Sequence, residues 1–222
     1  LNPADITRVP HTAMIMSYSN LYGLMALQHS QLAVAHNFSG RYFGIGACMF
    51  GNEIYSEKTA SIIFGTPVSA DGVVGIGLHG YDLSIEGYGS ARSWGLDLGT
   101  RWSISRQILW EIAYCNLNNP TVGQSREPLP QQLSTAVTYR PLPEIESRLF
   151  LQQNIRYLPR FGAAISYSPF KWISLSGSIN TEPFVSSAGV SIRWQAIQVQ
   201  YDFTSHATQL PHSHRFGVGI LL

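Results

Sequence analysis

RSWGLDLGTRWSISRQILWEIAYCNL, residues 92–117, reads as two strands joined by a tight turn. In the first, Trp94, Leu96, Leu98, Thr100, Trp102 and Ile104 fall on one face, and Ser93, Gly95, Asp97, Gly99, Arg101 and Ser103 on the other. The second repeats the pattern, with Ile108, Trp110, Ile112 and Tyr114 opposite Glu111 and Ala113. Strict period-two alternation marks a strand whose faces meet different surroundings. A soluble sandwich alternates too, so the decisive detail is Trp94 and Trp102 at the two ends of the apolar face. About 8 residues at roughly 3.3 Å each, tilted by about 40°, give roughly 20 Å of height, close to the lipid-facing band of about 25 Å between aromatic girdles. The expected fold is all-β, a transmembrane antiparallel up-and-down barrel.

Composition points the same way. The 222-residue chain is 45% hydrophobic but only 12% charged, half the charge of about 25% that a soluble domain carries. No apolar run reaches the length of about 18 that a membrane helix needs. Twenty glycines and 12% aromatics suit a crowded wall with aromatic interfaces. A net charge of +1 without a basic cluster excludes a nucleic-acid surface. Cys48 and Cys115 set no disulfide framework. No secretory leader precedes Leu1, which for an outer-membrane protein implies a processed or trimmed form.

Applied along the chain, the alternation gives fourteen segments, near 11–19, 29–37, 41–50, 57–66, 72–83, 92–104, 107–117, 131–140, 145–154, 160–168, 171–180, 184–194, 196–205 and 212–222. Every proline falls between segments or at an edge, as a closed hydrogen-bond ladder requires. Connections alternate between short ones, such as Ser105 to Arg106 and Gln195, and others that include the longest, Asn118 to Pro130 and Ile85 to Ala91. Short turns at one rim and longer loops at the other place both termini on the periplasmic side. The chain divides into a periplasmic N-terminal segment, 1–10, and a barrel, 11–222.

Phe43, Trp102, Trp110, Tyr139, Tyr167 and Trp194 collect on the outward parity near the short-turn rim, and with Trp94 they form the expected aromatic girdle. The inward parity holds Gly44, Gly46, Gly75, Gly77, Gly95, Gly99, Gly162, Gly189, Gly217 and Gly219 among serines. Inward charges are few: Asp97, Arg101, Glu111, Arg140, Arg148, Arg193, Asp202 and Arg215. Arg101 is expected opposite Glu111, and Asp202 opposite Arg215 if residues 207–210 form the last loop. Such opposite-sign pairs neutralise charge across neighbouring strands; a path for a charged solute is the competing reading.

By parity His206 points inward and His212 and His214 outward, and tetrahedral spacing is missing, so no metal is expected. Asp202 and His206 share a face that Ser205 does not, and no enzyme or cofactor is expected. The Gly-x-Gly pairs sit mid-strand with no helix after them and cradle no phosphate.

Asn2-Pro3-Ala4 before the first strand, Leu96-Asp97-Leu98-Gly99, Asn116-Leu117 entering a long loop, and the close from Tyr201-Asp202-Phe203 to His214-Arg215-Phe216-Gly217-Val218-Gly219 resemble the FadL-like outer-membrane barrels, most of all the PorV and PorQ branch associated with type IX secretion. The resemblance implies fourteen strands and an N-terminal hatch in the lumen, of which Leu1 to Pro10 is a remnant. Family members carry larger loops; here none is large enough for an external capture site. The expectation is a non-enzymatic anchor or scaffold subunit with protein partners at the loop rim or periplasmic face. The alternative is a passive transporter of hydrophobic small molecules through the weakly charged, glycine-lined interior.

Overall fold

The computed structural model describes residues 2–206 and 210–222. Among these, fourteen antiparallel strands close into a barrel. They are β1 (Thr12–Asn20), β2 (Gln28–Phe38), β3 (Arg41–Gly51), β4 (Tyr55–Pro67), β5 (Gly72–Ile85), β6 (Gly89–Ser103), β7 (Ile108–Cys115), β10 (Gln132–Leu142), β11 (Ile145–Asn154), β12 (Arg160–Phe170), β13 (Ile173–Asn180), β14 (Val185–Trp194), β15 (Ile197–His206) and β16 (Ser213–Leu221). A two-stranded ribbon, β8 (Thr121–Val122) with β9 (Glu127–Pro128), stands in the connection after β7. β1 pairs with β16, which removes the sheet's open edges. Backbone bonds between Thr12 and Leu222 bring the two ends of the barrel to the same rim as the short turns.

The alternation fixes the register, since a one-residue slip would turn every apolar side chain into the lumen. Across β6 and β7, Thr100 faces Ile112 and Trp102 faces Trp110 outside, while Gly99 meets Ala113 and Arg101 meets Glu111 inside. The result is inverted relative to a water-soluble fold. Apart from prolines, the buried apolar side chains among the described residues are Ala4, Ala13, Ala113, Ala136 and Val122, while Ile62, Leu98, Leu149 and Ile165 are 41–66% exposed. An apolar belt on this scale is stable against hydrocarbon and not against water.

Indole and hydroxyl groups on that belt need partners within the wall. Trp110 Nε1 donates to Thr135 Oγ1 at 2.9 Å, and Thr135 Oγ1 donates onward to the Glu111 carbonyl at 3.1 Å. Thr135→Val strands the indole N–H, so it should lower stability by about 1–2 kcal/mol, read by denaturant titration in lipid; Thr135→Ser should restore most of the loss.

Two expectations need correction. Pro141 and Pro169 lie inside β10 and β12, not beyond them, because both strands run on across register shifts between Tyr139 and Leu142 and between Tyr167 and Phe170. A bulge leaves a residue outside the ladder and so accommodates the missing donor. The connection expected from Ile85 to Ala91 shrinks to residues 86–88, because β5 and β6 stay paired up to Ile85 and Gly89. Gly87 (φ 77°) and Gly89 (φ 92°) supply the left-handed backbone of that reversal. The 116–131 connection is the long one, as expected.

Candidate functional site in the barrel lumen

Pro3–Arg8 forms a 3-10 helix, and it sits inside the barrel against β3, β4, β5 and β6. Asn2 caps it: its side chain accepts from the Ala4 N–H at 3.0 Å and donates to the Thr100 carbonyl at 3.1 Å. Pro3 at the first turn needs no N–H partner. Inward glycines make the room. A Cβ on Gly44 or Gly65 would lie 2.7 or 2.5 Å from Ile6, one on Gly75 would collide with the Pro3–Ala4 backbone, and one on Gly99 with Asn2. These four glycines are the floor of a groove that seats the helix.

The same helix takes up the lumenal charges. Arg101 and Glu111 are register partners, but each turns to the insert. Asp5 lies 3.7 Å from Arg101 and 3.0 Å from Arg8; Arg8 reaches Glu111 at 2.5 Å, and Arg148 closes on the same carboxylate at 2.7 Å. Arg101 also donates to Thr7 Oγ1 at 3.0 Å. Glu111 is 2% exposed, a carboxylate that is tolerable only with two guanidinium partners. Burial works against the Arg8 charge, but Asp5 and Glu111 outweigh it and hold its pKa above the ordinary arginine value.

A second polar group was invisible in the sequence. Ser61 Oγ lies 2.7 Å from His79 Nδ1, His79 Nε2 lies 3.1 Å from Asp97 Oδ2, and Asp97 Oδ1 accepts the Asn116 N–H at 2.9 Å. Tyr81 donates to Asn116 Oδ1 at 2.8 Å, and Asn116 Nδ2 donates to the Pro130 carbonyl at 2.9 Å. Serine, histidine and a carboxylate in line are hydrolase parts, yet here they end on a backbone N–H. What they build is a brace that seats Asn116, with φ of 56°, where the 116–131 connection leaves the wall. The signal was the register itself: Ser61 pairs with His79, and Asp97 with Gly77.

Asp202 and Arg215 are register partners in β15 and β16, and Asp202 accepts two bonds from Gln200 Nε2 at 2.9 and 3.1 Å. Arg193 donates to Gln198 at 3.1 Å, and Arg140 pairs with Glu146 at 2.6 Å. Residues 207–209 of the expected last loop lie outside the described residues. Cys48 Sγ lies 3.0 Å from His29 Nε2, and Cys115 lies against Asp97. His206 meets Ser213 at 3.0 Å inside, whereas His214 meets Tyr201 at 2.8 Å outside. Phe43, Trp94, Trp102, Trp110, Tyr139, Tyr167 and Trp194 all stand on the outer face, 38–70% exposed.

Cavities flank these groups. One of about 580 Å³ opens at the long-connection mouth among Gln152, Tyr157, Leu158, Arg160 and Glu182, so the rim itself forms a recess despite the short loops. Beside it, on the outer wall, a groove of about 470 Å³ runs between Val137, Leu149, Phe161, Ile179 and Phe184.

No family model matches the chain, and no curated protein matches it. Solved structures share its architecture. The Pseudomonas putida toluene transporter TodX superposes with a TM-score of 0.69 at 10% identity, over 99% of this chain and 91% of that one. A Pseudomonas aeruginosa FadL homologue gives 0.63 at 10% identity, over 98% and 91%. The KdgM porin gives 0.54 at 9% identity, over 95% and 99%. At such identities the likeness is one of fold.

Proposed function

We propose that the chain is a passive, non-enzymatic outer-membrane conduit, FadL-like in build, that admits small hydrophobic molecules. The observation that carries this is the docked N-terminal helix, which pairs with Arg101 and with the Glu111 carboxylate that Arg148 shares, and so leaves little unpaired charge on its side of the lumen. An ion-selective pore would instead present rings of unpaired charge. At the mouth, Tyr157 and Leu158 are each 71% exposed and offer an apolar molecule a first contact, and the outer groove between Leu149 and Ile179 offers it a surface facing hydrocarbon.

In this reading the short-turn rim and both termini are periplasmic, the exposed aromatics from Phe43 to Trp194 form the interfacial girdle, and residues 1–10 act as a hatch. The scaffold that the PorV and PorQ resemblance carries rests on the short connections and the plain wall, and the likeness to transporter barrels supports conduction instead. The test is uptake of labelled toluene from water by a Gram-negative host that lacks its own hydrocarbon transporter. Cells expressing the folded barrel should take it up faster than empty-vector cells. Equal rates would remove the reading, and a stoichiometric protein partner retained in mild detergent would favour the scaffold.

A further inference from the structure

The side of the lumen away from the insert is built differently. Two cavities, of about 330 and 200 Å³, lie end to end along β15 and β16 and share Gln200, Asp202 and Arg215. The larger runs toward the long-connection rim past Thr204 and Ser213, the smaller toward the short-turn rim past Gln198 and Gly219. At their junction the Asp202 carboxylate is held by Gln200. Gly189 gives it room, since a Cβ there would press on Asp202 and come within 2.6 Å of Ser176 Oγ. Arg215 has no hydrogen bond or ion pair among the described residues, although it is the register partner of Asp202.

We propose that these cavities form a permeation track for small hydroxylated solutes, with anions favoured over cations and Arg215 as the discriminating residue. Serine, threonine and glutamine side chains donate and accept, so they can follow a sugar-like solute through successive weak sites. Conduction needs sites of that kind, attractive enough to fill and weak enough to empty. Arg215 and Asp202 line the path, and Arg193 stands beside its short-turn end, donating to Gln198 of the smaller cavity; with it the charges on and beside the path are two cations to one anion, which lowers the barrier to anions. A guanidinium fork with no hydrogen bond or ion pair among the described residues is suited to a passing carboxylate. The track uses different residues from the hydrophobic path proposed above and stands or falls separately.

The test uses the whole chain in phosphatidylcholine vesicles. Swelling in arabinose should exceed that of protein-free vesicles, and a bilayer under a KCl gradient should show an anion-favouring reversal potential. Gly217→Leu should cut the swelling several-fold. A Cβ at Gly217 meets nothing nearer than Gln200 Cβ at 3.7 Å, so the wall accepts it and the rest of the side chain fills the smaller cavity. Gly219→Leu, with its nearest neighbour at 3.7 Å, is the second variant should the first not fold. Arg215→Gln should move the reversal potential toward cations. Swelling no faster than in protein-free vesicles, swelling indifferent to both leucine variants, or a cation-favouring native channel would each overturn the proposal. Swelling without toluene uptake would support the track and overturn the hydrophobic reading.

Discussion

Replacing Leu98 with arginine is expected to lower the stability of the folded barrel by about 2–4 kcal/mol, the cost of a cation on a barrel's lipid face near the bilayer midplane. Leu98 lies four residues from Trp94 and four from Trp102, the two aromatics that bracket the apolar band on β6. Its side chain is 41% exposed. On a water-soluble protein a leucine so exposed could become arginine at a cost within about 0.5 kcal/mol. Hydrocarbon solvates leucine and rejects guanidinium, so the two surroundings give answers several kcal/mol apart. Guanidine titration of the vesicle-folded chain, followed by tryptophan emission, measures the difference. Gln152→Arg is the control, because Gln152 borders the lumenal cavities and should tolerate a charge. A Leu98→Arg variant as stable as the parent would mean that the outer face does not meet lipid.

The wall was legible because its rule is local. Period two in residues 92–117 fixes which side chains face out, and that parity carried the strand number, the closed sheet and the outward placement of Trp94 and Trp102. Strand ends were less legible. Pro141 and Pro169 suggested stops, but a bulge absorbs a missing donor without ending a strand. The lumen was barely legible, because its contacts cross the barrel between residues far apart in the chain. Arg101 and Glu111 do face each other, yet nothing in their sequence neighbourhood shows that Asp5 and Arg8, about a hundred positions away, take both. Gly65 is illegible for the same reason: its role exists only once Ile6 lies over it. Ser61, His79 and Asp97, eighteen residues apart in succession, meet because successive hairpins return the chain to the same height. That alignment depends on turn positions that composition only approximates.

Gly75→Val is expected to expel the N-terminal helix while leaving the barrel closed. A Cβ at residue 75 would occupy the space of the Pro3–Ala4 peptide. Backbone cannot yield as a flexible side-chain tip can, so the helix must leave. The strand has no matching objection, since valine favours extended backbone. Once the helix departs, Arg101 and Glu111 remain in register and can satisfy each other, so the net loss should be small, about 1–2 kcal/mol after the entropy regained by the freed segment. The larger effects are on access. Trypsin should cleave after Arg8 far faster than in the parent, where that side chain is bound to Asp5 and Glu111, and vesicle swelling should extend to larger sugars. Glu111→Gln attacks the same docking from the wall side by leaving Arg8 and Arg148 without their shared carboxylate. Breaking a buried pair costs about 3–5 kcal/mol. The Arg8 side chain is 37% exposed and water screens it, so about 2 kcal/mol is expected. Both variants should therefore expose the same bond by opposite means. If neither accelerates cleavage after Arg8, the helix is not held by the glycine groove and the carboxylate.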